Sequence, residues 1–429
     1  LLLNEVHMRQ LRMLLTAAVA LLAACGSTGE GGALDCSHGQ PYAGAAPHAP
    51  LAADAFPPPE PDGPDRSPLP EALADRLARR VDALLQQTGA PAFAVAIDSP
   101  GLGRWSTTRG LARVSPERLA TDATWFYWAS VAKSLTAVLV LQLVDEGRLG
   151  LDDRLANWYP QVPHAELITV RQLLTHTSGL ATNAAPPASG TGTPEARLAA
   201  VAATPAVACP GTVASYSNVG YELLGGIVER VEGEAFHEVL ARRIAQPLGL
   251  LQLRALRPGE EEVDALATPH LARQPTPDPQ AWLRTGSGNV IAGAPDLLAA
   301  WRAVLAGRLL RPATVAAQWS VLYPIADGAE ATPRTAGSWF GQGVMRMEWV
   351  DPSGAARGWL GHLGGTPGSS AMVAYDARAQ AWVAVAVNSE VSAAAVANAL
   401  LEVVLDWKAS HPAASGPSAR QGRTPRSGA

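Results

Sequence analysis

Ser130 and Lys133 stand three residues apart in Trp128-Ala129-Ser130-Val131-Ala132-Lys133, directly before an apolar run with Leu135, Val138, Leu139, Leu141 and Val144 at helical spacing. On a helix starting here, both side chains share one face of the first turn. A serine hydroxyl is a weak nucleophile until a neighbouring base takes its proton, and a neutral, buried amine can be that base. Burial and the positive end of the helix dipole both favour the uncharged lysine, while free N–H groups of the first turn can hold an oxyanion. Composition singles out the same residue. Of 33 cationic side chains only Lys133 and Lys408 are lysines, and lysine, unlike arginine, can lose its proton in a protein. Read alone, the pair is also compatible with a serine cap followed by a solvated lysine.

Two further clusters follow downstream. Tyr216-Ser217-Asn218 precedes a helical period formed by Leu223, Leu224, Ile227, Val228 and Val231, which places the tyrosine and asparagine on a loop at a helix start. A capping asparagine beside a packed tyrosine is the structural alternative. Gly361-His362-Leu363-Gly364-Gly365-Thr366-Pro367-Gly368, taken by itself, reads as a glycine-rich turn with a surface histidine.

The elements that must hold these residues are legible at both ends of the chain. Leu73, Leu77, Val81, Leu84 and Leu85 give Glu71 to Gln87 a helical period, and a Gly89-Ala90-Pro91 break follows. Ala92 to Ile97 and Arg104 to Arg109 read as one hairpin, Ser370 to Tyr375 and Trp382 to Val387 as a second, and Val391 to Trp407 as a closing helix. The middle, from Leu135 to about Leu310, is mostly helical periods and long loops. This pattern predicts an α/β (α+β) domain: an antiparallel sheet built from both chain ends, flanked by helices, with a mostly helical subdomain inserted.

In this order and at these separations, the three clusters resemble the serine β-lactamase and penicillin-binding superfamily, whose Ser-x-x-Lys opens a helix. They are most similar to its branch of AmpC-type β-lactamases, D-alanyl-D-alanine carboxypeptidases and esterases. Leu173-Leu174-Thr175-His176-Thr177-Ser178-Gly179-Leu180 and Gly293-Ala294-Pro295-Asp296-Leu297 also match stretches of this branch. The resemblance implies the β-lactamase/transpeptidase-like fold over residues 71–408. It implies Ser130 as the acylated nucleophile, Lys133 as its proton acceptor and Tyr216 as the proton carrier to the leaving group and from the incoming water. Asn218, His362, Gly364 and Gly365 would face the substrate, with the backbone N–H groups of Ser130 and Gly365 as oxyanion hole. His176 and Ser178 belong to a stretch that the family uses for packing and a turn. No cofactor or metal is implied.

Leu363 departs from the family pattern, because peptidases and lactamases carry threonine or serine there, whose hydroxyl receives a substrate carboxylate. With His362 in place of lysine, the departure favours an esterase or amidase acting on an uncharged acyl group of a small-molecule ester, amide or peptide. A β-lactamase or D-Ala-D-Ala carboxypeptidase, and a non-catalytic penicillin- or peptidoglycan-binding sensor, remain the alternatives.

The rest of the chain bounds compartment and partners. Net charge is -5 over 429 residues, the basic residues are scattered, and only Arg420, Arg423 and Arg426 cluster faintly, which argues against a nucleic-acid partner. There is no Gly-Lys phosphate loop, no Gly-x-Gly-x-x-Gly, no His-Glu-x-x-His and no Gly-x-Ser-x-Gly. Met8 to Arg12 is a short basic start and Met13 to Ala23 an apolar run too short to span a bilayer, so residues 1–24 read as a secretory signal, with 1–7 an over-extended start. Leu22-Ala23-Ala24-Cys25 resembles a bacterial lipoprotein cleavage box. Cys25 is thus the expected lipidated residue, with residues 25–70 a Pro/Gly/Ala-rich tether and residues 409–429 a disordered tail. The expected location is extracytoplasmic, lipid-anchored to a bacterial membrane. An oxidising compartment allows Cys36 and Cys209 to pair, but sequence does not report their proximity.

Overall fold

The computed structural model describes residues 34–36, 41–58, 67–184, 194–257, 260, 263–276, 285–325, 337–350 and 354–411. Nine strands form one antiparallel sheet: β1 (Ala92–Ser99), β2 (Gly103–Arg113), β3 (Arg118–Leu119), β4 (Tyr323–Pro324), β5 (Gly337–Phe340), β6 (Met345–Val350), β7 (Ala356–Thr366), β8 (Ser369–Asp376) and β9 (Ala381–Val387). Their order is β3-β2-β1-β9-β8-β7-β6-β5-β4, so the first hairpin and the last lie side by side, with Phe93 opposite Val387 and Ile97 opposite Val383. The expected antiparallel sheet built from both chain ends is therefore the central layer. The strands from 323 to 366, outside the two expected hairpins, extend it on one side.

Every residue of β1 and β9 is buried, because both faces of the sheet are covered. On one face Phe93, Val95, Ile97, Val383 and Val385 meet α1 (Glu71–Thr88) and the C-terminal helix, which bring Leu73, Leu77, Val81, Leu400, Leu401 and Val404. The opposite face carries alanines, Ala94, Ala96, Ala384 and Ala386. Small side chains there leave room for larger groups from the helical layer, including Leu297, Leu298 and Trp301. The central helix of that layer is α2 (Ala132–Asp145). From Ala132 to Leu141 all of its residues are buried, as expected of a helix that is apolar nearly all round. We label the later helices α3 (Asn218–Glu232), α4 (Ala294–Leu305) and α5 (Ala393–Ser410).

Within the 25–70 segment expected to be a tether, the described residues lie against the domain. Cys36 is buried and disulfide-bonded to Cys209. Ala43 and Gly44 donate their N–H groups to Thr212 O, at 2.7 and 3.1 Å. Tyr42 packs on Tyr323, His48 on Trp339 and Phe56 on Trp319, with ring centroids 5.0, 4.7 and 5.9 Å apart. Aromatic contacts of this kind are invisible in a Pro/Ala-rich composition because their partners lie roughly 280 residues away, close to the length of the domain. Cys25 and residues 412–429 lie outside the described residues.

Candidate active site

Ser130 occupies a short 3-10 turn, Ala129–Val131, that runs into α2. The turn is held from below by Trp128, whose indole N–H donates to Ala292 O at 3.0 Å and whose backbone N–H donates to Val290 O at 3.0 Å. Ala129 adopts φ +45°, a left-handed conformation uncommon for a residue with a Cβ, and the buried surroundings over-determine it. Lys133, second residue of α2, is fully buried. Its Nζ donates to Ser130 Oγ at 3.1 Å and to Ser287 O at 2.6 Å, and it lies 5.0 Å from the Tyr216 ring centroid. Burial pushes its pKa down to about 7; the charge on Glu222 opposes this weakly. Glu222 is itself held by the Arg197 guanidinium through bonds of 2.7 and 2.9 Å. The lysine thus shares its hydrogen bonds with a hydroxyl and a carbonyl, which accept from it without fixing its charge.

Strand β7 passes across the front of this turn. A Cβ on Gly364 would stand 2.3 Å from Trp128 O and 3.2 Å from Ser130 N, so only glycine permits the approach. At Gly365 the nearest atom to such a Cβ would be Ser369 O at 4.0 Å, and that position is open. His362, two residues before Gly364 on β7, is buried, with Nδ1 against Leu363 O and Nε2 bonded to no described residue. Nδ1 beside a carbonyl oxygen carries the proton, which leaves a lone pair on Nε2. Burial, aided by the Lys133 charge, lowers its pKa to about 3, so His362 is neutral at ordinary pH.

Ser130, Tyr216, His362, Gly364 and Gly365 line one cavity of about 220 Å³ together with Ser338 and the apolar Ile325, Phe340, Met345 and Leu363. The structure therefore gathers the expected serine, tyrosine, histidine and glycines, with Lys133 directly behind the serine. Asn218 is placed apart from them. Its side chain donates to Asn183 Oδ1 at 2.9 Å at the start of α3, where Ser217 is the cap, accepting from Gly220 N at 3.0 Å. Ser287, which anchors the lysine, and the wall formed by Ile325, Ser338, Phe340 and Met345 were not singled out from the sequence. The wall left one signal, the Met345, Met347, Trp349 alternation of β6.

A family model described as Beta-lactamase matches residues 77–405. The chain belongs to the beta-lactamase family. Among curated proteins it is 37% identical over 207 residues to penicillin-binding protein 4 of Amycolatopsis lactamdurans, covering 47% of this chain and 54% of that protein. It is 30% identical over 234 residues to esterase EstB of Burkholderia gladioli, covering 48% and 57%. These matches span about half the length of each relative. Among solved structures, the D-amino acid amidase of Ochrobactrum anthropi SV3 superposes with a TM-score of 0.65 at 22% identity, covering 78% of this chain and 99% of that one. That likeness concerns the fold, and it agrees with the large antiparallel sheet flanked by helices expected for the family.

Proposed function

We propose that the protein is a serine hydrolase that forms an acyl-enzyme at Ser130 and acts as an esterase or amidase on substrates with an uncharged acyl group. The observation that carries this reading is the buried Lys133 amine, 3.1 Å from Ser130 Oγ, with a pKa lowered to about 7 by burial. At that value about half the population can accept a proton at neutral pH. Lys133 takes the serine proton as Oγ attacks the carbonyl carbon. The oxyanion then faces the backbone N–H groups of Ser130 and Gly365, and Tyr216 passes a proton to the leaving group. Water enters in the second step, held by a hydrogen bond to the free Nε2 of His362; it gives its proton to Tyr216 and attacks the acyl carbon, and Lys133 returns its proton to Ser130 Oγ as the acyl bond breaks and the acid leaves.

The restriction to an uncharged acyl group rests on the lining. Among the described residues that face the cavity none is an arginine or lysine, His362 is neutral, and Leu363 offers no hydroxyl. A substrate carboxylate would be desolvated there without a cationic partner. The name of one relative, penicillin-binding protein 4, keeps β-lactam or D-Ala-D-Ala peptide cleavage as the second reading, whereas that of the other, an esterase, agrees with the first.

The test is labelling by a fluorophosphonate and by a fluorescent penicillin, in the wild type and in Ser130→Ala, followed by turnover on p-nitrophenyl esters, amides, a β-lactam and a D-Ala-D-Ala peptide. Loss of label in Ser130→Ala with ester or amide turnover is expected. Equal labelling of both proteins would remove Ser130 as nucleophile, and labelling without turnover on any substrate would mean a sensor. We further propose that residues 71–408 are the catalytic domain of an extracytoplasmic lipoprotein anchored through Cys25. Retention of Cys25→Ser in the membrane fraction, at the level of the unmodified protein, would overturn the anchor.

A further inference from the structure

His176 grips Tyr216 from three directions, although the reaction as described makes no use of it. Its carbonyl oxygen accepts from Ser215 N at 2.8 Å and its Nδ1 accepts from Ser217 N at 3.0 Å, so the backbone on both sides of Tyr216 is bonded to one residue. Its ring lies 4.5 Å from the Tyr216 ring at a 30° tilt. His176 is itself held firmly. It is fully buried at φ +58°, with Phe340 edge-on at 4.6 Å and Tyr221 at 5.0 Å. The Tyr221 hydroxyl donates to Leu174 O at 2.8 Å, which ties this cluster to the short helix Val170–Leu174. Because Nδ1 accepts, the neutral ring carries its proton on Nε2. Burial keeps the ring neutral, and positive charge on Lys133 pushes the same way.

We propose that His176 is a positioning residue for Tyr216, fixing the phenol opposite Lys133 and Ser130 through its bonds to the N–H groups of Ser215 and Ser217. The inference rests on the reading of Tyr216 as proton carrier. Three demands meet at this position: a left-handed backbone, an acceptor one bond beyond Cγ, and a side chain that fills the space beside Phe340. The first two define positioning, whereas the third alone would define a filler. Two substitutions separate them. His176→Asn keeps an acceptor near Nδ1 and suits the left-handed backbone, but gives up the ring. His176→Phe keeps the ring and its volume, but leaves the Ser217 N–H buried without an acceptor.

The experiment measures melting temperature, kcat and KM on p-nitrophenyl acetate, and the rate of Ser130 labelling by a fluorophosphonate, for both variants alone and combined with Tyr216→Phe. For a displaced proton carrier, kcat should fall by roughly tenfold to a hundredfold in His176→Phe while KM stays within about twofold. His176→Asn should retain kcat within about threefold, and Tyr216→Phe should abolish the further effect of His176→Phe on labelling. The reverse order, with His176→Phe active and His176→Asn impaired, would show a filler and overturn the inference. So would an undiminished effect of His176→Phe in the Tyr216→Phe background. Should His176→Phe fail to fold, His176→Asn decides alone: a loss of kcat as large as that of Tyr216→Phe overturns the inference. A wild type that takes no label would overturn the hydrolase reading and this inference with it, and is told apart from the other outcomes by that lack of label.

Discussion

Lowering the pH from about 8 to about 6 should cost the protein most of its acylation rate, because the base is then a protonated lysine. The magnitude follows from the environment of Lys133. Its amine is fully buried and lies against one hydroxyl and one carbonyl, and its pKa falls from 10.5 to about 7. A single base of that pKa is about nine-tenths neutral at about pH 8, half neutral at about pH 7 and roughly one-tenth neutral at about pH 6. Acylation followed by fluorophosphonate labelling, or by the burst of p-nitrophenol from p-nitrophenyl acetate, should trace that curve. Stability runs in the same direction. The unfolded chain binds more protons than the folded one between about pH 7 and about pH 10.5, so the burden of burying Lys133 is fully present below that window and eases as pH rises through it. Melting temperatures at each pH keep the two effects apart. Lys133→Arg, whose guanidinium stays protonated, should lose acylation by about a hundredfold or more at every pH, whereas Lys133→Met removes the base without adding a buried charge. An acylation rate flat between about pH 6 and about pH 8 in folded protein would refute the reasoning, as would full activity in Lys133→Arg.

Gly364→Ala should abolish Ser130 labelling, since its Cβ would stand 2.3 Å from Trp128 O, while Gly365→Ala, with 4.0 Å to its nearest neighbour, should fold and melt like the wild type. Labelling rates and melting curves for the pair check both. Breaking the Cys36–Cys209 bridge, which closes a segment with a sequence separation of 173, should lower stability by about 2–5 kcal/mol in denaturant unfolding of Cys36→Ser. Lys408 donates to Ala379 O at 2.8 Å and Gln380 O at 3.3 Å, pinning the turn between β8 and β9 to α5. Lys408→Ala should therefore cost about 1 kcal/mol in unfolding free energy and leave kcat unchanged.

What could be read from the sequence is what is encoded locally. The two outer hairpins, α1 and the Ser-x-x-Lys turn carry their own periodicity or spacing, and each appears within a few residues of its expected bounds. The Tyr216 loop and the β7 glycines were legible as chemistry through resemblance to the family, although Gly361 to Thr366 form strand and only Pro367 and Gly368 the turn. Lys133 stood out by composition; Lys408, an unexplained remainder in the same count, proves to be a clamp on a hairpin. What escaped is long-range. The wall of Ser338, Phe340 and Met345, with Ile325 just past β4, comes from short strands and their ends, whose burial depends on neighbours in the sheet, and short strands carry little periodicity of their own. Packing of Tyr42 and His48 on Tyr323 and Trp339 is likewise set by tertiary contact, as is the choice of Cys209 as partner for Cys36.

That disulfide also changes the mechanics of the proposed anchor. Lipidation at Cys25 with a free chain to residue 70 would let the domain turn every side to the bilayer. With Cys36 fastened to Cys209, a chain anchored at Cys25 would have only about ten residues between lipid and domain, at most ~35 Å of extended length. Its attachment point lies seven residues before Tyr216, on the loop that enters the catalytic cavity. Under that proposal the bridge would act as a swivel that keeps the Cys209 pole of the domain near the lipid headgroups. Substrates released from, or embedded in, that surface would meet the Tyr216 side of the cavity first.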